Sequence, residues 1–374
     1  MPRQKGNGDT MKIKEGSIRL YYAFDIANEI LLEKLEKILG KKPTEMGLEY
    51  TKLTPKYIRY AKAPYLVKFG KKTIQLDGKP FEFSVTAKLY EFGVISLHFE
   101  LPFSGDTSEL EQLSDKFSGN AEMEKEAKKY AEKIKKEIAD AMVKPVADSP
   151  FEDYMIFYAK EFEKPISAHE LLEKNSLTIA RVLRSEGSVE LSKEEIDTAI
   201  GTSVSYLAND IVIVDWNAAF IYDPGKPYDT FDTLEYANAS LLELRVYDTM
   251  LDNEIDLAYD RIMGLGRITL PFINPFSPTM KRLEEVTFDV IQVTERVENA
   301  LKLIGDQYLA RVYSAALREF HLDDWKASIR KKLDIVKEFY DMLYNKTQTD
   351  RTLVLEILIV LLILFEILIT FWPH

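Results

Sequence analysis

Two hydrophobic periods divide the chain. Period-two alternation marks strands at residues 17–24, 65–69, 72–76 and 81–89, with Gly70 and Asp77-Gly78 as turn signals between them. Residues 90–101 read as a further strand that continues through Gly93. Helical spacing appears where Asp25 can cap a segment carrying Ile26, Ile30, Leu31, Leu35 and Ile38, which Gly40 ends. Asp106 or Thr107 opens another helix. Residues 121–142 form a longer one with an apolar stripe of Met123, Ala127, Tyr130, Ile134, Ile138 and Met142; its remaining faces are Lys and Glu, a solvated surface.

After a linker at residues 145–150 the pattern resumes. A strand is predicted at 154–162, short helices at 167–172 and 177–183, and a helix at 193–200 capped by Ser192 with Glu195 at capping-box spacing. Strands follow at 211–216 and 218–222, then an acidic loop and a helix over 234–263. Both halves run strand, helix, strands, long helix, which admits an internal duplication. One composite domain or two fit the pattern equally. Residues 264–278, with three prolines, read as a packed connector. Beyond it the apolar positions 283, 286, 290, 293, 297, 301, 304 and 308 alternate mostly three and four apart, a heptad seam over residues 280–320. A break at 321–324 turns the chain into a second arm with Trp325, Ile329, Leu333, Val336, Tyr340 and Leu343. Val293, Val297, Leu301, Ile329, Leu333 and Val336 are the seam of an antiparallel, coiled-coil-like hairpin, expected to self-associate or to pack on the preceding domain.

Residues 352–372 hold only two ionisable groups, Glu356 and Glu366, among apolar side chains. Such a helix is about 31 Å long, the thickness of a bilayer's hydrocarbon, with Trp372 suited to the far interface. Lys331, Lys332, Lys337, Lys346 and Arg351 precede it, and only Pro373 and His374 follow. This asymmetry puts the N-terminal bulk in the cytoplasm, or in the matrix of an organelle. Glu356 lies one turn inside the span, whereas Glu366 is deeper. A protonated Glu366 is an interhelical hydrogen-bond device for oligomers. The expected organisation is a loose leader at 1–16, an α+β domain whose halves are 17–145 and 146–266, a connector at 267–280, the hairpin at 281–351 and a tail anchor at 352–372.

Composition narrows the function. The 49 Lys and Arg against 61 Asp and Glu give a net charge of −12, which speaks against a dedicated DNA or RNA binder. With no cysteine there are no disulfides, zinc–thiolate sites, iron–sulfur clusters or cysteine nucleophile. The phosphate-loop motif, the dinucleotide fingerprint and the nucleophile elbow are all missing. His98, His169, His321 and His374 are scattered, and His169-Glu170 lacks the second histidine of a metalloprotease helix. Asp223, Asp229, Asp232 and Glu235 could hold a divalent cation. Turn chemistry, with capping by Asp232 or Thr233, explains the same residues without a ligand. Tyr21, Tyr22, Tyr57 and Tyr60 beside Lys52, Lys56, Arg59 and Lys62 form a basic–aromatic cluster that could touch RNA or anionic headgroups, or be ordinary amphipathic surface. No catalytic residue, cofactor or metal site is singled out.

Three stretches carry a resemblance. Residues 18–38 (IRLYYAFDIANEILLEKLEKI), 89–110 (LYEFGVISLHFELPFSGDTSEL) and 285–368 resemble the opening strand and helix, the glycine-valine turn with its acidic helix, and the helical hairpin with its terminal anchor in the "required for meiotic nuclear division" type of membrane-anchored protein. That resemblance implies a membrane location, a tethering role in organellar translation for some eukaryotic members, and no catalytic residue to carry over. The expectation is therefore a non-enzymatic, membrane-anchored scaffold that forms homo-oligomers and meets a cytoplasmic protein or ribosome. The alternatives are a membrane-tethered hydrolase or transferase using carboxylates, and a ribosome-associated tether.

Overall fold

The computed structural model describes residues 11–39, 49–52, 63–225, 227–264 and 276–370. The strands are β1 (Lys12–Asp25), β2 (Ala27–Ile30), β3 (Glu49–Lys52), β4 (Tyr65–Leu76), β5 (Lys79–Leu89), β6 (Val94–Asp106), β7 (Met142–Pro145), β8 (Phe151–Phe162), β9 (Ser203–Val204), β10 (Ile211–Val214) and β11 (Ala218–Tyr222). The helices are α1 (Leu32–Leu39), α2 (Thr107–Phe117), α3 (Ala121–Glu137), α4 (Ala168–Arg184), α5 (Lys193–Gly201), α6 (Tyr228–Gly264), α7 (Ser277–Leu303), α8 (Gln307–Glu319) and α9 (Leu322–Thr370). The fold is α+β. It divides into two compact units, Met1–Glu243 with Val297–Asp323, and Leu244–Arg296 with Asp324–His374.

The first unit is built on one sheet in the order β3-β4-β5-β6-β1-β8-β11-β10-β9. The two halves of the α+β region meet where β1 lies antiparallel to β8, so they share a sheet and form one composite body. The halves are wired differently: β1 pairs antiparallel with β6, whereas β8 pairs parallel with β11. One sheet face carries Ile18, Leu20, Tyr22 and Phe24 of β1 into the main core with Met123, Ala127 and Ile134 of α3 and Leu171 and Val182 of α4. Alternation along each strand sends the intervening side chains to the opposite face.

Several local expectations change. β1 starts at Lys12, so Lys12–Gly16 belong to the sheet rather than to a leader. Residues 27–30, expected as the first helical turn, are β2, which pairs with β7. The backbone explains this. Ile30 N donates to Glu91 O and Ile26 O accepts from Val146 N, so tertiary partners take both ends of the bond that would have opened a helix after Asp25. Gly93 closes a turn instead of continuing a strand. Its φ is +89, and a Cβ there would lie 1.5 Å from Ala27 O. Residues 65–76 are one strand with a bulge at Gly70, and Asp77-Gly78, both at positive φ, make the hairpin to β5. The stripe of α3 is buried at Met123, Ala127, Ile134 and Ile138, but Met142 belongs to β7. The segments 167–172 and 177–183 are one helix kinked at Asn175. The helix expected at 234–263 starts at Tyr228.

The continuous helix expected over 280–320 is broken. Asp306 caps α8 by accepting from Tyr308 N and Leu309 N at 2.8 and 3.0 Å, which separates α8 from α7. The 281–351 hairpin is therefore three helices, and α8 belongs to the first unit, where Tyr313 meets Tyr236 and the following Phe320 meets Tyr154.

The second unit contains the C-terminal part of α6, most of α7 and nearly all of α9. Arg245 lies near Trp325, Asp248 accepts from Ser328 at 2.6 Å and Asp252 pairs with Lys332 at 2.6 Å. Each pair is 80 positions apart, so α6 and α9 run parallel. Tyr340 hydrogen-bonds Glu284 while Lys346 lies over Phe276, so α7 runs antiparallel to α9. Arg282 bonds Glu254 and Arg261 bonds Thr279, so α7 also opposes α6. The arms of the expected hairpin thus pair, with α6 as a third partner. Leu244, Leu251, Ala258, Leu283, Val286, Val290, Ile329, Val336 and Leu343 are buried in this bundle. Of the seam residues, Ile329 and Val336 are buried and Leu333 is half-buried; the side chains of Val293, Val297 and Leu301 lie outside the described residues. So do the connector at 265–275, Trp372, and Tyr57, Tyr60, Lys56, Arg59 and Lys62 of the basic–aromatic cluster.

Candidate functional site

The strongest concentration of buried charge in the first unit lies on the sheet face opposite the main core, under the first turns of α6. Its members come from three adjacent strands at alternate positions: Ser17, Arg19 and Tyr21 of β1, Thr86 and Lys88 of β5, and Ser96, His98 and Glu100 of β6. Register brings them together. Arg19 is opposite Glu100 and Tyr21 opposite His98, while Thr86 is opposite His98 and Lys88 opposite Ser96. Side chains of directly paired residues on one face are neighbours.

The contacts are ionic and aromatic. Lys88 Nζ reaches Asp232 Oδ1 and Glu235 Oε2, both at 2.6 Å, across 144 and 147 positions of sequence. Arg19 pairs with Glu100, donates to Ser17 Oγ at 3.3 Å, and lies 3.9 Å over the ring of Phe231. His98 stacks on Tyr21 at 4.7 Å and 7°, and its Nδ1 sits 3.3 Å from Thr86 Oγ1. Burial pushes the Glu235 carboxyl up, against the pull of the Lys88 ammonium, and nearby Asp232 adds to the rise. Burial holds His98 well below the usual imidazole range, with Arg19 and Lys88 adding repulsion, so the ring is neutral at physiological pH. Its Nε2 is buried with no hydrogen-bond partner among the described residues.

Every ion in the seam meets an opposite charge. The arrangement is a clamp between helix and sheet in which one cation, Lys88, faces two carboxylates, and Glu235 Oε1 is buried with no hydrogen-bond partner among the described residues. Among the described residues no group of three His, Asp or Glu is placed to hold a metal ion. The acidic loop divides accordingly. Asp223 folds its own turn, its Oδ1 accepting from Gly225 N at 2.7 Å, and its carbonyl accepts from Tyr158 Oη at 2.9 Å. Asp232 and Glu235 turn inward to Lys88. Asp232 and Thr233 do not cap α6, because the helix has already begun at Tyr228.

A second buried acid stands after β10. Asp215 accepts from Trp216 N at 2.8 Å and pairs with Arg184 at 3.2 Å, and Arg184 also holds Glu195. Burial pushes Asp215 up to about 6 despite these donors. Of the aromatics in the basic–aromatic cluster, Tyr21 belongs to the seam and Tyr22 to the main core, so they do not share a surface. Sequence reading passed over Arg19, Lys88 and Glu100, although polar residues at alternate positions of adjacent strands were visible. A polar strand face reads as solvated until a helix is known to cover it.

The other distinctive feature is the end of α9. An 18-residue window within Leu322–Thr370 has a mean hydropathy of 2.9 and none of it is buried. Leu353, Leu355, Ile357 and every apolar side chain from Leu358 to Ile369 are exposed, and so are Glu356 and Glu366.

Comparison with known proteins gives a family but no activity. The family described as "Uncharacterized protein MJ0711, N-terminal domain" matches residues 15–229, from β1 to the start of α6. The uncharacterized protein MJ0711 of Methanocaldococcus jannaschii is 28% identical over 226 residues, which is 60% of this chain and 67% of that protein. No solved structure matches. Because the match takes in more than half of the 374 residues, including Arg19, Lys88, His98 and Glu100 of the seam, the chain belongs to the MJ0711 N-terminal domain family.

Proposed function

We propose that the chain is a non-enzymatic membrane-anchored scaffold: α9 crosses the bilayer and the α+β unit is presented to partners on the cytoplasmic side. The observation that carries this reading is the wholly exposed apolar window of α9, with its mean hydropathy of 2.9. A soluble protein rarely leaves a contiguous apolar surface of more than a few hundred Å² in water, and a bilayer is the solvent that suits a helix apolar all round. The five cations Lys331, Lys332, Lys337, Lys346 and Arg351 ahead of the span support the cytoplasmic orientation.

The clamp supports a scaffold over a carboxylate enzyme. Asp232 and Glu235, two carboxylates of the α+β unit, are both held by Lys88. Self-association through Glu366 and the helical bundle belongs to the same reading, as does a protein or ribosome partner. Deletion of residues 352–374 tests the anchor: the truncated chain is expected to leave the membrane pellet for the soluble fraction. Pelleting that survives a carbonate wash overturns it. For a ribosome partner, the measurement is co-sedimentation at moderate salt, where an acidic chain has little nonspecific affinity for RNA.

A further inference from the structure

The seam beneath α6 is not balanced in charge. Among the described residues Arg19 and Lys88 face Glu100, Asp232 and Glu235, while His98 is neutral. Two cations against three carboxylates leave one negative charge in excess. Lys68 of β4, opposite Thr86, and Asp229 in the first turn of α6 add one charge of each sign and leave the balance unchanged. Tyr21 of β1 lies near Glu235, and Tyr236, the next residue of α6, meets Tyr90 and Tyr313 of α8; these are phenols rather than charges.

The three carboxylates are not equally placed to carry the excess. The side chains of Glu100 and Asp232 are 33 and 23% exposed, so water reaches them, whereas that of Glu235 is 3% exposed. Glu235 Oε2 accepts from Lys88 Nζ at 2.6 Å, but Oε1 has neither water nor a hydrogen-bond partner among the described residues. Ser96, its polar neighbour on β6, offers one neutral hydroxyl, which does not replace the hydration of a full charge. Lys88 already has Asp232 at 2.6 Å. A proton on Oε1 removes the excess charge at the driest position and leaves the Lys88–Asp232 pair intact.

We propose that the seam is a proton-operated latch: on mild acidification Glu235 takes up one proton, Asp232 remains the counter-ion of Lys88, and α6 grips the sheet more tightly. Burial raises the Glu235 carboxyl above its ordinary 4.5, so the folded protein holds this proton where the unfolded chain has lost it. The stabilisation is full below 4.5 and is lost as pH rises through the folded value. His98 does not take the proton instead, because it is buried with Arg19 and Lys88 nearby.

The test uses the full chain in detergent micelles. Trp325→Phe with Trp372→Phe leaves Trp216, in the first unit, as the sole tryptophan reporter. Denaturant unfolding is followed from about pH 4.5 to pH 8 for this background and for Glu235→Gln and Glu100→Gln placed on it. Glutamine has the shape of the protonated acid and no charge. Near pH 4.5 the background and Glu235→Gln are expected to be equally stable. Above it, the unfolding constant of the background rises relative to that of Glu235→Gln by up to about tenfold per pH unit, the signature of one proton, and then levels. Asp215 and Asp25, which titrate in the same window, are common to both chains and cancel. Glu100→Gln, altered at a carboxyl open to water, is expected to keep the rise. A Glu235→Gln chain that is less stable than the background at pH 7, or that fails to fold, overturns the latch, because the charge on Glu235 is then required. Parallel pH profiles for the background and Glu235→Gln overturn it too. Loss of the rise in Glu100→Gln overturns the assignment of the proton to Glu235.

Discussion

The two faces of the central sheet solve the same burial problem by opposite means. On one face Phe99 meets Tyr22, Phe83 and Tyr130 at ring distances of 5.9, 6.1 and 6.0 Å under α3. On the other, one residue along the same strand, His98 stacks on Tyr21 amid Arg19, Lys88, Glu100 and Glu235. The apolar face gains from area removed from water and tolerates changes of shape. The charged face must first offset the desolvation of its ions, and it does so only while every partner is present. The apolar face therefore supplies stability, and the charged face supplies the register of α6 on the sheet.

Four measurements would break or sharpen this contrast. Phe99→Ala, which opens a cavity in the aromatic cluster, is expected to cost about 3–5 kcal/mol in chemical denaturation. A cost below that of an exposed substitution would mean the apolar face is not the main core. Next, Lys88→Ala leaves the buried Glu235 and the half-buried Asp232 without their cation and is expected to cost about 3 kcal/mol. The triple change Lys88→Met, Asp232→Leu and Glu235→Leu should recover most of that loss. Failure to recover would assign the clamp a role beyond charge balance.

The third measurement is pH dependence. Asp215 is raised from 3.8 to about 6, and Asp25, at the end of β1, to about 7, both chiefly by burial. A carboxyl raised in the folded state holds its proton longer there than in the unfolded chain. Its contribution to stability is therefore full below its ordinary range and is lost as pH rises through about 4 to 7. Asp215→Asn is expected to flatten the lower part of that fall, between about 4 and 6. An unchanged stability profile in that window would refute the assignment. The smallest effect concerns the span. Glu366→Leu is expected to weaken association of the α9 segment in bilayers by about 1 kcal/mol, measured by energy transfer between labelled copies, and Glu356→Leu by less. Equal association of wild type and Glu366→Leu would remove the hydrogen-bond device.

Much of the fold was legible along the chain because its causes are local. The Asp77-Gly78 turn, the α3 stripe and the Ser192 cap are short-range devices written in adjacent residues. The errors fall where a distant partner outbid a local preference. Residues 27–30 carry helical spacing but give their backbone donors to the Tyr90–Val94 turn and to β7. The seam over 280–320 has heptad intervals, yet Asp306 stops it and directs α8 to the first unit. The candidate site was hidden for a related reason. Lys88 and Glu235 are 147 positions apart, and each alone reads as an ordinary surface charge.

The sequence by itself determined the α+β class, the solvated faces of α3, the apolar span at the end of α9 and the break after Phe320. Each of these depends on composition or on periodicity within one segment. Only the tertiary structure decided that the two halves share a sheet, that the polar face of that sheet is covered and ionically clamped, and that α6 joins α7 and α9 in the bundle. The physical reason is that the burial of a charge, and the partner that makes it tolerable, are properties of packed surfaces. Which surfaces pack is set by register between segments far apart in the chain.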